Sequence, residues 1–572
     1  MSAPPGIAAH GDPGTWIRTH WKTAVLLGTV AVVLSLPALG WGLPDGSAPD
    51  RVWAWGNDEL APLGPLGEVY SVFLARGPRH FNPQYPLLQY MIDVVFAAPY
   101  LIWLKLVGGM GRMVAEYPFG FTDPPAALRA LTVWQRLPSV LAGSGVVALA
   151  FITAGRWRGI TAGIIAALGI ALTYPMVYYT GMSNVDVPAL LWTAAGLLVF
   201  AEILQTGLTR RRAALFGLFA ALATATKDPG YAAFAGMGGA LAILPLVGSR
   251  RETWWDTAGA AGVGVAVALV VYAVASGLVF SPSRYVEHVR FITHGSSGSP
   301  LYFKGTPTLA TYLGTAWDTM TDIRRSLGWP VSLIAFGGVL LAVRSRREEL
   351  WFLLPGLGIL VGVILPVRFV LIRFVLVMAY IGTLYAAFAA ARGWDHADRR
   401  VRVAVRAGVS VALMWSAVRA GDLAWQMHGD RREPLGEWLC QHAGPRGTVG
   451  YYGAARKLPR LPCGITTVRL HDPDGVGVVP AGVNRPDYVL MIPQQHFESW
   501  HEFVLPDTTA GRLLDGTAGY RLAFASRAPS LFRDRPIPFV NPPVRAFART
   551  DLADRLDPAV LRLELADPRE VP

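Results

Sequence analysis

Charge is scarce in this chain. Asp, Glu, Lys and Arg make up 16% of its 572 residues and hydrophobic types 52%, a balance that excludes an ordinary soluble globular protein. Carboxylates are the scarcer sign, 39 against 51 basic residues, so any acid beside a long apolar run needs a reason to be there. Other absences narrow the function. There is no Gly-rich Walker A loop, no Gly-x-Ser-x-Gly elbow and no Cys or His spacing of a metal site, which argues against an ATP-driven pump and a serine hydrolase. Nor is there an internal repeat of the kind common in transporters.

What the chain has instead is apolar length. The runs 24–39, 140–154, 160–178, 188–204, 258–279 and 370–391 approach or reach the roughly 20 residues that cross a bilayer as a helix. They predict a polytopic α-helical membrane protein with membrane lipid as its surroundings. The first run follows a polar segment and lacks a small-residue cleavage site, so it reads as a retained anchor. The net charge of +12 sits in Arg clusters between apolar runs, where it orients helices; nucleic acid is not an expected partner.

Those clusters punctuate alternate gaps. Arg156 and Arg158, Arg210 to Arg212, Arg250 and Arg251, Arg344 to Arg347 and Arg392 to Arg406 are expected to be cytoplasmic, together with an N-terminus that carries Arg18 and Lys22. The outer segments are then 40–136, 180–187, 227–229, 280–328, 366–369 and everything after about Gly421, and about eleven spans satisfy the alternation. Residues 87–107 are apolar enough to cross, but a crossing there would invert every later cluster. They are therefore expected to lie in or dip into the outer interface, helped by Asp93, Pro99 and Lys105. The richness in Ala, Gly and Arg points to a high-GC bacterial genome and hence to a bacterial plasma membrane.

After about Gly421 the hydrophobic runs shorten and Pro, Asp and Arg become frequent. Residues 448–452, 466–470 and 488–492 read as strands and 434–442 as a helix. The expected division is a transmembrane domain over 1–420, with a large first outer loop at about 41–136, and an extracytoplasmic soluble α/β domain over 421–572. The two cysteines, Cys440 and Cys463, both fall on that outer side, where a disulfide persists, and are expected to pair.

The motifs Gly42-Leu-Pro-Asp45, Asp58-Glu59, Asn82-Pro-Gln-Tyr-Pro-Leu87, Gln135-Arg-Leu-Pro-Ser139, Asn184-Val-Asp-Val-Pro188 and Thr226-Lys-Asp-Pro229, in that order, resemble the GT-C superfamily of polyprenyl-phosphate-sugar glycosyltransferases. Protein O-mannosyltransferases and aminoarabinose transferases are the members most similar over residues 20–400. The resemblance implies a GT-C-like transmembrane catalytic domain. It also implies transfer of a sugar from a polyprenyl-phosphate donor to an acceptor (protein, lipid or glycan) on the extracytoplasmic face, with inversion at the anomeric carbon. A divalent cation near the acidic pair occurs in some members and not in others. The alternative is a transporter or flippase of lipid-linked sugars, which would place ionisable residues near mid-membrane.

The resemblance makes the acidic pair after the first helix catalytic, and Asp58 and Glu59 match it. A carboxylate there can take the proton of an acceptor hydroxyl as the sugar leaves its phosphate. Asp45 and Asp50 compete for the role in the same loop, and any of the four acids could instead solvate the loop or cap a helix. For the leaving phosphate, the resemblance points to Arg136, whose planar guanidinium suits phosphate. Arg368 and Arg373 could serve likewise or snorkel to the interface, and His80 could touch phosphate or metal. Asp186 is either a cavity wall or a helix cap, and Lys227 with Asp228 lies at a predicted helix end. The loop 283–305, with Arg284, His288, Arg290, His294 and Lys304, either holds donor phosphate or is a solvated connection.

Overall fold

The computed structural model describes residues 13–56, 58–60, 62–75, 81–247, 254–294, 306–345, 347–444, 446–452, 455–470, 485–492, 507–527, 530–532, 537, 540–557 and 562–564. Up to the middle of the chain the helices are α1 (Pro13–Gly40), α2 (Gly64–Phe73), α3 (Leu87–Leu106), α4 (Pro124–Arg158), α5 (Ile160–Ala171), α6 (Tyr174–Tyr179), α7 (Asp186–Thr206), α8 (Arg210–Thr226), α9 (Gly230–Val247) and α10 (Trp254–Ala275). There follow α11 (Pro282–His294), α12 (Leu309–Leu327), α13 (Trp329–Ser345), α14 (Leu354–Ile359), α15 (Leu365–Val367), α16 (Leu376–Trp394), α17 (Arg399–His428) and α18 (Arg432–Ala443), with 3-10 turns at Arg347–Leu353 and Ile372–Val375.

The chain is a polytopic helical membrane protein. Among the described residues, eight helices are long and apolar enough to cross a membrane, or nine if α12 and α13, bent by 116°, form one span. Residues 160–171 and 230–243 are shorter apolar helices. The run 160–178 is divided at Leu172 and Thr173 into α5 and α6, the second opening with Pro175 in its first turn, where a missing N–H costs nothing.

Residues 87–106 are the segment expected to lie in or dip into the outer interface. They form one unbroken helix with the length and apolarity of a span. Asp93, expected to help an interfacial placement, is fully buried. It accepts hydrogen bonds from Gln89 Nε2 (2.7 Å) and Ser183 Oγ (3.1 Å), so its charge is solvated by protein rather than by headgroups.

By internal packing the chain forms two compact units. One comprises Met1–Ala38, Leu63–Phe96 and Arg136–Gly421; the other comprises Leu39–Pro62, Ala97–Gln135 and Asp422–Pro572. In the first unit, small residues let helices approach closely. A Cβ on Gly217 of α8 would stand 2.0 Å from the carbonyl oxygen of Gly264 on α10, so this crossing is open only to glycine.

The second unit is built on a six-stranded sheet of β1 (Thr448–Tyr452), β2 (Thr466–Leu470), β3 (Tyr488–Met491), β4 (Tyr520–Ser526), β5 (Val544–Arg549) and β6 (Arg562–Glu564), with α19 (Asp507–Leu514) before β4. The order is β2-β1-β3-β5-β4-β6. β1 pairs in parallel with β2 and β3, while β5 runs antiparallel to β3 and β4. Alternate residues serve opposite faces, as the pleat requires. Tyr488 and Leu490 pack with Leu435, Trp438 and Leu439 of α18, and Val489 and Met491 pack with Leu513 and Phe547 on the other side. Cys440 and Cys463 form a disulfide that ties α18 to the segment before β2.

Candidate active site

In the first unit, acids and bases gather at the two ends of the helices. At one end Arg156 at the close of α4 pairs with Glu202 near the close of α7, and Arg212 of α8 lies 4.0 Å from the same carboxylate. Arg158 pairs with the fully buried Glu349, which Arg392 approaches to 3.5 Å. Four of the predicted cytoplasmic Arg clusters thus contribute to this one end through Arg156, Arg158, Arg212, Arg392 and the segment of Glu349.

The opposite end of α7 carries the second cluster. Asn184 Oδ1 accepts the backbone N–H of Asp186 at 2.7 Å. Asn184 therefore supplies the local turn bond, and the Asp186 carboxylate is left to pair with Lys227. Lys227 ends α8, and its ammonium stands 4.9 Å from the centre of the Phe374 ring. The Arg373 guanidinium is 5.7 Å from that same ring, so two cations face one aromatic side chain. The next residue, Asp228, accepts from His288 Nε2 at 3.0 Å, while His288 Nδ1 lies 2.7 Å from the Pro83 carbonyl.

His288 and Arg284 share one face of α11. Residues 282–294 were expected within a loop and are a helix, and that helix buries two ionisable side chains. Arg284 and His288 are buried, one turn apart, while Val286 and Val289 are exposed. Arg284 pairs with Glu68 of α2 and donates to the Tyr85 carbonyl at 2.7 Å, its guanidinium 5.6 Å from the Tyr90 ring. Glu68 also accepts the backbone N–H of Asn82. Burial pushes the Glu68 carboxyl above its ordinary range, opposed by the Arg284 charge and the Asn82 N–H. The motif at 82–87 therefore works through its backbone, with Asn82, Pro83 and Tyr85 each meeting an ionisable side chain.

Arg136 is fully buried inside α4 and donates to the Ala38 carbonyl at 3.0 Å. Arg368 closes α15 in the left-handed conformation (φ 56°), its N–H bonded to Ile364 and Leu365 carbonyls at 2.8 and 3.1 Å, a C-terminal stop that usually falls to glycine. His80, Arg250, Arg251 and Lys304 lie outside the described residues.

The second unit holds the acidic loop. Asp45 accepts from Ser47 Oγ (2.8 Å) and the Leu461 N–H (3.0 Å), with Arg51 at 3.6 Å. Asp50 accepts from Thr467. Both rivals for the catalytic role are thus engaged in fastening the loop to 461–467. Asp58 is half-buried with φ 55°, and Glu59 is buried. A non-glycine residue with positive φ is uncommon and, where it persists, held by its surroundings. Glu68, Tyr90 and the aromatic residues around Arg432 were not anticipated; the available signal was an acid inside an otherwise apolar ten-residue segment, 64–73.

Among the described residues no three His, Cys, Asp or Glu side chains converge in a way that would hold a metal ion.

No protein-family model matches the sequence, and no curated protein matches it. Solved structures do resemble it. ArnT from Cupriavidus metallidurans in the apo state shares 15% identity and a TM-score of 0.49, over 94% of this chain and 99% of that one. The Archaeoglobus fulgidus oligosaccharyltransferase shares 13% identity and a TM-score of 0.45, over 80% and 63%. The arabinofuranosyltransferase AftD from Mycobacteria shares 18% identity and a TM-score of 0.40, over 92% and 41%. All three are GT-C superfamily glycosyltransferases, the superfamily that the sequence motifs resemble.

Proposed function

We propose that this protein is an inverting GT-C glycosyltransferase, which moves a sugar from a polyprenyl-phosphate donor to an acceptor on the extracytoplasmic face. The observation that carries this reading is the placement of charge. In α7, α8, α13 and α16, Asp, Glu, Lys and Arg occur only within the first three or last five residues, while Asp93 of α3 and Arg136 of α4 lie further in and bond to protein groups. A carrier of lipid-linked sugars needs ionisable groups at mid-membrane; an enzyme working at one surface needs them at helix ends.

The Asp58 carboxylate takes the proton of the acceptor hydroxyl as its oxygen attacks the anomeric carbon. The bond from that carbon to the phosphate oxygen breaks, and the polyprenyl phosphate leaves with the electron pair. Glu59, next to Asp58, is the second acid of the pair. Lys227, Arg373 and Arg368 are the cations assigned to the departing phosphate, with Asp186 holding Lys227 in place. Arg136 anchors the end of α1 through the Ala38 carbonyl. His80 is assigned to the same phosphate on its sequence position alone.

The test is product formation by the purified protein in micelles, supplied with polyprenyl-phosphate sugars and a panel of acceptors. A glycosidic product supports the reading. Micelles have no two compartments, so absence of product alongside lipid-sugar translocation in vesicles would replace it with a flippase.

A further inference from the structure

Trp55 stands three residues before the acidic pair and is fastened from several sides within the second unit. Its indole N–H donates to the Leu458 carbonyl at 2.9 Å, and its backbone N–H to Gly42 at 2.8 Å. The Arg432 guanidinium carbon lies 3.8 Å from the Trp55 ring centre and 5.4 Å from that of Trp41. Arg432 is 2% exposed. It grips Asp430 with two bonds, Nε at 2.9 Å and Nη2 at 2.7 Å, and Trp41 donates to the same carboxylate at 3.0 Å. Gly42 has φ +59°, and a Cβ there would meet the Trp55 Cβ at 2.6 Å, so the turn admits no side chain without moving the indole. Leu458 lies inside the loop closed by Cys440 and Cys463.

We infer that Arg432 is a positioning residue for the catalytic base: set against Trp41 and Trp55 and fixed by Asp430, it holds the turn that presents Asp58. The inference rests on the glycosyl transfer proposed above, with Asp58 as base. A guanidinium can lie flat on an indole while its edge donates to a carboxylate in its own plane. An ammonium cannot do both, and an alkyl chain can do neither. The C-terminal sheet domain thereby gains a part in the reaction without touching substrate. A displacement of about 1 Å at a reacting group costs on the order of 10²-fold in rate, so a loosened Trp55 is felt at Asp58.

The experiment uses the purified full chain in micelles and the donor and acceptor of the assay above. It compares kcat, donor KM and thermal unfolding for wild type, Arg432→Met, Arg432→Lys, Asp58→Asn and the double variant Arg432→Met with Asp58→Asn. Thr448→Val, which removes two hydrogen bonds to and from Asp487, is the control that weakens the sheet. Arg432→Met is expected to lower kcat about 10²-fold with donor KM within about twofold, and Arg432→Lys to fall between. The double variant should be no slower than Asp58→Asn, because aiming a base that has been removed gains nothing. The control should lose unfolding temperature and keep kcat. Multiplying losses in the double variant, a wild-type kcat in Arg432→Met, or an equal kcat loss in Thr448→Val would each overturn the positioning role. If Arg432→Met does not fold, Arg432→Lys carries the same cycle. A wild type that makes no product overturns the glycosyl-transfer reading itself, a result distinct from any of these.

Discussion

Glu68 and Arg284 form an ion pair in which neither side chain has any exposed surface. It joins α2 to α11 across 216 residues of sequence, and its second acceptor, the Tyr85 carbonyl, binds the 82–87 motif to both. A buried pair is weak evidence for net stability, since desolvating two charges offsets their attraction; breaking one is costly because the other remains buried and uncompensated.

Glu68→Gln should therefore destabilise the protein by about 3–5 kcal/mol. Replacing both partners, Glu68→Gln with Arg284→Met, should recover most of that loss. Thermal unfolding in micelles measures both, and an unchanged midpoint for Glu68→Gln would show that the pair is not what holds α11 in place.

The four acids Asp45, Asp50, Asp58 and Glu59 should separate by phenotype. Asp58→Asn is expected to lower transfer by about 10²–10⁴-fold with an unchanged unfolding midpoint. Asp45→Ala, which deprives the Leu461 N–H and Ser47 of their acceptor, should lower the midpoint by about 1–3 kcal/mol in stability. Wild-type turnover in Asp58→Asn would move the base to Glu59.

Lys457 supplies a pH signature for the second unit. Burial, with the Arg456 and Arg432 charges, pulls its ammonium from 10.5 down to about 7. Between those values the unfolded chain binds more protons than the folded one, so stability rises with pH across that window and is lowest below about pH 7. Lys457→Met should be more stable than wild type at pH 6.5 and lose the difference by pH 10. Equal slopes for the two proteins would mean that Lys457 titrates alike in both states.

Orientation can be read with single cysteines, because Cys440 and Cys463 are joined to each other. A membrane-impermeant thiol reagent on intact cells should label Thr517→Cys, an exposed position of the second unit, and leave Ser345→Cys unlabelled until the cells are opened. The reverse pattern would invert the topology drawn from the Arg clusters.

Much of the architecture was written in the one-dimensional pattern. The strands at 448–452 and 466–470, a third at 488–491, the helix of α18 and the Cys440–Cys463 pair all appear where local composition put them, because period-two and period-3.6 patterning act over a few residues. Arg156, Arg158, Arg212 and Arg392, from three of the Arg clusters, likewise meet at one end of the helices.

What only the tertiary structure decided is which charges are buried, and against what. Asp93 was expected to help an interfacial placement; it is buried, with Gln89 and Ser183 donating to its carboxyl group. Residues 282–294 looked like a loop because their ionisable residues are many; two of them, Arg284 and His288, turn inward to Glu68, Pro83 and Asp228, where an amphipathic helix read in water would bury apolar residues. Asp45, Asp50 and Asp58 are indistinguishable by residue type within one short loop. Segment 461–467, more than 400 residues away in sequence, binds the first two. Residue types and the local period are legible in the sequence; which distant groups Asp45 and Asp50 meet belongs to long-range packing, because a hydrogen bond from a distant segment leaves no mark on the residues around it.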